Sequence, residues 1–203
     1  MSLPILTVVG ATGAQGSSVV SVFASAPNPQ YHIRALTSDI STPSAIRIAT
    51  LPNVSVIYTD LSSTDSLISA FKDSTFIFAN TYFPPPVFLD GGPLAAQNFE
   101  AEQGLNIVTA ASKIASLKHI IWSTLPDSLE FTQGRYDIPH FQSKIPAQKF
   151  LLDPQNGLNE KTTFLRVGLY GSNLVREPYR PLHIVRSPCL PSPTLRGRHE
   201  MCA

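Results

Sequence analysis

The densest chemical signal in the chain is Gly10-Ala11-Thr12-Gly13-Ala14-Gln15-Gly16. It follows the short apolar run Leu3-Pro4-Ile5-Leu6-Thr7-Val8-Val9. It leads straight into a stretch of helical spacing in which Val19, Val20, Val22 and Phe23 are apolar. Glycines at three-residue intervals between a strand and a helix suit a pyrophosphate. Gly10 permits the tight turn, Gly13 lets the backbone approach the phosphates, and Gly16 lets the helix pack against the strand. Free N–H groups at the helix start then face the phosphate charge. The alternative is a glycine-rich turn kept for packing alone, but the strand-turn-helix context is the one a dinucleotide motif requires. Other chemistries leave no comparable trace. There is no HExxH, CxxC or carboxylate cluster for a metal, and no GxSxG for an acyl-transfer nucleophile. Cys189 and Cys202 form neither a ligand cluster nor a disulfide framework, which points to a reducing compartment, the cytosol or the nucleus.

The elements that must position this turn alternate between strand and helix. After the first strand and a helix over about 14–25, Asn28-Pro29 breaks the chain and Tyr31-His32-Ile33-Arg34-Ala35-Leu36 reads as strand two. A short helix near 43–50 precedes strand three, Val54-Ser55-Val56-Ile57-Tyr58. A helix over 64–72, with Thr64 as its expected N-cap, precedes strand four, Thr75-Phe76-Ile77-Phe78-Ala79. Pro84-Pro85-Pro86 is expected to stiffen its loop as an extended segment, a rigid spacer in preference to a substrate lid. A long helix over about 94–116 leads to strand five, His119-Ile120-Ile121-Trp122-Ser123. A helix over 140–153 leads to strand six, Thr162-Thr163-Phe164-Leu165-Arg166-Val167. Short apolar strands with helical crossovers imply an α/β fold: a Rossmann-type doubly wound parallel sheet of about six strands. Such a sheet binds ligands beyond the carboxyl ends of its strands, at the switch point between strands one and four.

The charge balance changes near the end of the chain. Residues 1–175 carry 10 Lys and Arg against 12 Asp and Glu, whereas residues 176–203 carry five Arg against Glu177 and Glu200, together with five of the 18 prolines. We therefore expect a folded unit over 1–175 and a poorly ordered basic, proline-rich tail over 176–203. The overall charge of +1 gives no footprint for nucleic acid, and no apolar run is long enough to span a membrane.

From the glycine turn onward the chain resembles the NmrA-like family, atypical relatives of the short-chain dehydrogenases/reductases. The resemblance rests on Val8-Val9-Gly10-Ala11-Thr12-Gly13-Ala14-Gln15-Gly16-Ser17-Ser18-Val19, on Ile33-Arg34-Ala35-Leu36-Thr37, on Asp60, and on Phe78-Ala79-Asn80-Thr81-Tyr82. Ile120-Ile121-Trp122-Ser123, His140-Phe141-Gln142-Ser143-Lys144 and Leu165-Arg166-Val167-Gly168-Leu169-Tyr170 continue it in the same order. It covers about residues 4–174. Members of the family are usually longer, with a smaller C-terminal part that closes over the substrate side. The resemblance therefore implies a C-terminally truncated member that lacks most of that subdomain.

The resemblance implies NADP(H) as cofactor, with NAD(H) as the other candidate. Gly10 through Gly16 would hold the pyrophosphate. Arg34, Thr37 and Ser38 would lie at the adenosine ribose, where NADP-preferring relatives usually carry Arg in place of Ser38. Asp60 would touch the adenine, or serve only to cap a helix. Asn80, Thr81 and Tyr82 would line the ribose–nicotinamide stretch, and Tyr170 completes the set. Short-chain reductases commonly use Ser, Tyr and Lys, with Tyr-xxx-Lys on one helix face. Here Ser123 stands near the serine position, and Lys144 follows His140 rather than a tyrosine by four residues. Lys144 would contact the nicotinamide ribose, act in catalysis together with Ser123, or be an ordinary surface lysine.

Two functions follow from the resemblance. One is an oxidoreductase acting on a small organic substrate, in the setting of fungal secondary metabolism. The other is a non-catalytic dinucleotide redox sensor that regulates a protein partner such as a transcription factor. One fold hosts both. Neither involves direct nucleic-acid or membrane binding, and the expected location is the cytoplasm, or the nucleus for a regulator.

Overall fold

The computed structural model describes residues 2–168 and 170–175. The chain divides into two compact units, Met1–Val167 and Gly168–Ala203. The first unit runs β1 (Ile5–Val8), α1 (Ala14–Ala24), β2 (His32–Thr37), α2 (Pro43–Ala49), β3 (Val54–Tyr58), α3 (Thr64–Phe71) and β4 (Ser74–Ala79). It continues through α4 (Pro85–Ser112), β5 (His119–Thr124), α5 (Ser128–Phe131), α6 (Pro139–Gln142), α7 (Ile145–Leu152) and β6 (Thr162–Arg166). Of the second unit, a short 3-10 helix, Gly171–Val175, is described. The expected tail, 176–203, lies outside the described residues.

The six strands pair in the order β3-β2-β1-β4-β5-β6, and every pairing is parallel. The chain builds outward from β1 to β3, then returns to place β4 on the other side of β1. The expected Rossmann-type α/β sheet with its switch point between β1 and β4 is therefore present.

Strand alternation assigns the two faces. Leu6, Val8, Ile33, Ala35 and Phe78 pack with Val20 and Ala24 of α1 and Ile48 of α2. Val9, Leu36, Ile77, Ala79, Ile120 and Trp122 pack with residues of α3, α4 and α7, among them Leu67, Phe71, Ile107 and Leu151. Both faces are thus covered, which is why the central strands are apolar at successive positions rather than at every second one. Each fully buried large side chain contributes about 1.5–3 kcal/mol.

The structure corrects four local expectations. Ser63, not Thr64, caps α3: its side chain accepts the Ser66 N–H, while Thr64 donates its hydroxyl to Asn106 Oδ1 at 3.1 Å. Pro84-Pro85-Pro86 is not a free extended spacer. Pro84 has extended dihedrals, but Pro85 already opens α4, where a missing N–H costs nothing. The long helix begins at Pro85 and ends at Ser112, and is interrupted at Gly92, with φ 78° and ψ −176°. The helix expected over 140–153 is two helices, α6 and α7, with Ser143 and Lys144 between them. Pro146 lies in the first turn of α7, and its ring would collide with the carbonyl of Gln142 in a continuous helix.

Candidate functional site

The site is built where β1 ends beside β4. Gly10 takes φ +69°, and a Cβ there would lie 3.0 Å from the Asn80 carbonyl oxygen just past β4. Only glycine combines that backbone conformation with so close a crossing. A Cβ on Gly16 would stand 2.2 Å from the Gly10 oxygen and 2.8 Å from the Ala11 Cα, so the start of α1 is pressed directly onto the turn. Gly13 differs: a Cβ there would meet only the Gly10 oxygen, at 3.3 Å, and the residue is exposed. Its open side is the approach available to a ligand.

Gly13 is also the N-cap of α1, and no side chain caps this helix. Thr42, Ser63 and Asp127 cap α2, α3 and α5 with side-chain oxygens. No acidic residue occupies the first turn of α1. An uncapped eleven-residue helix presents partial positive charge at this end. These features fit a dinucleotide pyrophosphate: a glycine cradle, an exposed approach and a helix start without a side-chain cap. Ala14 is exposed, Thr12 and Gln15 are half-buried, and Ala11 is buried.

The end of β2 borders this turn, because the Ala11 N–H donates to the Leu36 oxygen at 3.2 Å. Thr37 is buried and Ser38 exposed. Arg34 does not join them. It sits three residues earlier, and its Nη1 donates to the carbonyls of Ala70 at 2.7 Å and Lys72 at 2.6 Å, at the carboxyl end of α3. Burial lowers the Arg34 pKa, with nearby Asp73 opposing that shift. Its guanidinium serves a helix terminus. Asp60 is exposed just beyond β3 and accepts the Ser62 N–H at 2.9 Å, so it shapes the turn into α3 without capping it.

Beyond β4, Asn80 is half-buried and Tyr82 exposed, but Thr81 turns inward. There it meets Lys144 and a residue that sequence reasoning missed. Glu100 of α4 is fully buried. Its Oε1 pairs with Lys144 Nζ at 2.9 Å and accepts the Thr81 hydroxyl at 2.7 Å, while Oε2 accepts the Ser143 hydroxyl. Lys144 Nζ also donates to the Thr81 carbonyl at 3.2 Å and to Thr81 Oγ1 at 3.0 Å. All three ammonium donors therefore have partners. Lys144 is not a surface lysine, and the buried cluster ties the β4–α4 loop to α4 and to the α6–α7 junction.

Glu100 left a signal in the sequence. Ala96, Glu100, Gly104 and Val108 recur at four-residue spacing on the buried stripe of α4. A charge in such a stripe requires a buried partner. Ser123, at the carboxyl end of β5, is buried, but no hydrogen bond joins it to Lys144 among the described residues. His140 packs against Phe83 and Phe141 with centroid distances of 6.0 and 4.8 Å. Burial lowers its pKa; Glu100 raises it and Lys144 lowers it further. Tyr170 belongs to the second unit.

Among the described residues there is no group of three His, Cys, Asp or Glu placed to hold a metal, and no helix long and apolar enough to cross a membrane.

Known proteins resemble this chain in sequence and in fold. The chain is 29% identical over 174 residues to the NmrA-like family domain-containing oxidoreductase notA of an Aspergillus species, covering 86% of this chain and 49% of notA. It is 32% identical over 147 residues to the oxidoreductase ptmS of Penicillium ochrochloron, covering 72% of this chain and 42% of ptmS. The chain thus spans about half the length of the curated relatives it matches. Among solved structures, NmrA, a negative transcriptional regulator, superposes with a TM-score of 0.67 at 24% identity, over 85% of this chain and 48% of that one. NmrA has also been solved in complex with NAD and with NADP, each superposing with a TM-score of 0.63. The model of the NmrA-like family matches residues 4–188, well over half of the sequence, and on that ground the chain belongs to the NmrA-like family.

Proposed function

We propose that this chain binds a nicotinamide dinucleotide, NAD(H) or NADP(H), with the pyrophosphate on the Gly10–Gly16 turn. We further propose that it is the cofactor-binding part of an oxidoreductase acting on a small organic molecule. The observation that carries this reading is the α1 N-terminus, without a side-chain cap and open at Gly13, beside the β1–β4 switch point. The fungal oxidoreductases among its relatives support the reaction class. A bound dinucleotide would supply or accept hydride. The chain's own contributions would be the phosphate cradle and the β4–α4 loop, Asn80 to Tyr82, held in place through Thr81 by Lys144 and Glu100. Ser123, buried near the end of β5, is the candidate that the sequence offers for the reductase serine.

One observation favours a second reading, a non-catalytic redox sensor regulating a protein partner. Lys144 lacks a tyrosine four residues before it, and its ammonium is fully engaged inside the protein. Both readings require dinucleotide binding. Thermal unfolding with and without each of the four dinucleotides tests that requirement, since a ligand at 100 times its Kd adds about 2.7 kcal/mol of stability. Gly13→Val should abolish the shift. A folded wild-type protein that responds to no dinucleotide ends both readings. A turnover screen with candidate alcohols and carbonyls then separates the enzyme from the sensor.

A further inference from the structure

Beside the buried Thr81–Glu100–Lys144 cluster, the β4–α4 loop and α6 bring a row of rings to the surface. Phe83 of the loop meets Phe88 of α4 at a centroid distance of 6.2 Å and His140 of α6 at 6.0 Å, and His140 meets Phe141 at 4.8 Å. The ring planes are inclined by 55° in the first pair and by 73° and 71° in the other two, so the row offers both edges and faces. Phe83 and Phe141 are half-buried, whereas Phe88, His140 and the adjoining Tyr82 and Leu89 are exposed. The sheet's packing does not account for these rings, since none of them belongs to either apolar cluster of the core. A contiguous apolar surface of this kind marks a place where something binds.

The row adjoins the proposed dinucleotide site. Tyr82 and Phe83 directly follow Thr81, which Glu100 and Lys144 hold in place, and the Ser143 hydroxyl lies between Glu100 Oε2 and the His140 carbonyl. A dinucleotide lying across the carboxyl ends of the strands at the switch point carries its reactive ring past β4. Charge is sparse there. Residues 82–89 and 138–143 contain no Lys, Arg, Asp or Glu, and the residues just outside them, Asp90 and Asp137, are exposed acids, with exposed Arg135 two residues further out. Lys144 has its ammonium engaged by Glu100 and Thr81. Partial burial keeps His140 below its ordinary pKa, so its ring is uncharged at neutral pH.

We infer that the small organic molecule handled at this site carries a flat, uncharged aromatic ring, seated against Phe83, Phe88, His140 and Phe141. The inference rests on the proposed oxidoreductase reading and deepens it by giving the substrate class. Ring edges and faces favour another aromatic ring over a saturated one of the same carbon skeleton. A carboxylate or phosphate would enter a surface bordered by Asp90 and Asp137, where the Lys144 ammonium is already taken.

The test is equilibrium dialysis of the folded protein, with and without NAD+, against three probes: naphthylmethanol, naphthoate and the saturated decalylmethanol. Naphthylmethanol should bind severalfold more tightly than either of the others. Phe83→Leu and Phe88→Leu keep an apolar side chain and remove a ring, and each should weaken naphthylmethanol by about two- to tenfold, the size of one aromatic contact. Melting without ligand shows whether each variant is folded, and Phe88→Leu, at an exposed position, carries the comparison if Phe83→Leu is not. Equal binding of naphthylmethanol and decalylmethanol, tighter binding of naphthoate, or an affinity that the folded variants leave unchanged overturns the inference while leaving the dinucleotide site standing. Self-association of the chain that naphthylmethanol disperses would give the row of rings to a second copy and overturns it too. A wild-type protein whose melting responds to no dinucleotide overturns the cofactor reading and the inference with it.

Discussion

Gly13 and Gly16 are three residues apart and face different constraints, so the same substitution should separate them. A methyl on Gly16 would overlap the Gly10 carbonyl by about an ångström, and its neighbours there are backbone atoms that cannot rotate away. Gly16→Ala should therefore lower the melting temperature of the ligand-free protein by the equivalent of about 1–3 kcal/mol. Gly13→Ala meets one oxygen at 3.3 Å and should leave the ligand-free protein nearly unchanged, while its methyl blocks the phosphate approach. Both variants should lose the dinucleotide shift, and equal melting temperatures for the two would refute this division of roles. The buried pair provides a second separation. Lys144→Met leaves the Glu100 carboxylate without its cation and should cost about 3–5 kcal/mol in urea unfolding. The double variant Lys144→Met/Glu100→Gln, with no charge to bury, should cost less than the sum of the two single variants. Strict additivity would mean that the two side chains do not interact. The turn was legible in the sequence because its meaning lies in spacing along the chain. The pairing of Glu100 with Lys144 was not, because it joins residues 44 apart and no local pattern records which helix faces meet.

At the scale of elements, the strands were legible almost to the residue, since buried parallel strands are short apolar runs bounded by polar or breaking residues. The helices were less so where proline and glycine cut them. Gly91-Gly92-Pro93 marks a break that the expected start near 94 reflected, but the preceding turn, opened by Pro85, read as a spacer. Gly92 holds φ 78° and ψ −176°, a region essentially reserved for glycine, and a Cβ there would meet nothing within 4 Å. Gly92→Ala should thus destabilise through backbone strain alone, by about 1–3 kcal/mol, and an unchanged urea midpoint would show that the break relaxes freely. The α6 segment carries a pH prediction. Burial holds His140 below its ordinary value, so the unfolded chain binds a proton that the folded chain does not. The stability owed to neutral His140 is complete above the ordinary imidazole pKa of about 6.5 and is lost as pH falls through the lower folded value. His140→Gln should flatten that limb of the stability–pH curve. An identical slope in wild type and variant would place the titrating group elsewhere.

For the whole molecule, the change in composition near residue 175 and the distribution of the packed core bear on one question: how much of the chain the dinucleotide site needs. The two apolar clusters draw their members from Leu6 to Phe164, the sheet's last strand ends at Arg166, and the first compact unit closes at Val167. Residues 176–203 reverse the charge balance of the body and carry five prolines. The family match pulls the other way, since it continues to residue 188 and so includes part of that segment. Stability follows buried apolar area and closed strand pairing, and among the described residues both clusters and all strand pairs lie before residue 168. A chain ended after Leu174 should therefore unfold in a single urea transition within about 0.5 kcal/mol of the full chain, the range for changes away from packed features. It should also keep the same rise in melting temperature with dinucleotide, because the glycine turn, the β2 rim and the Glu100–Lys144 cluster all lie within the retained part. Limited proteolysis of the full chain followed by dinucleotide titration of the trimmed product makes the same comparison without redesigning the protein. A trimmed product that aggregates, or one that folds but no longer responds to dinucleotide, would place residues after 174 in the working unit and support the longer boundary that the family match draws.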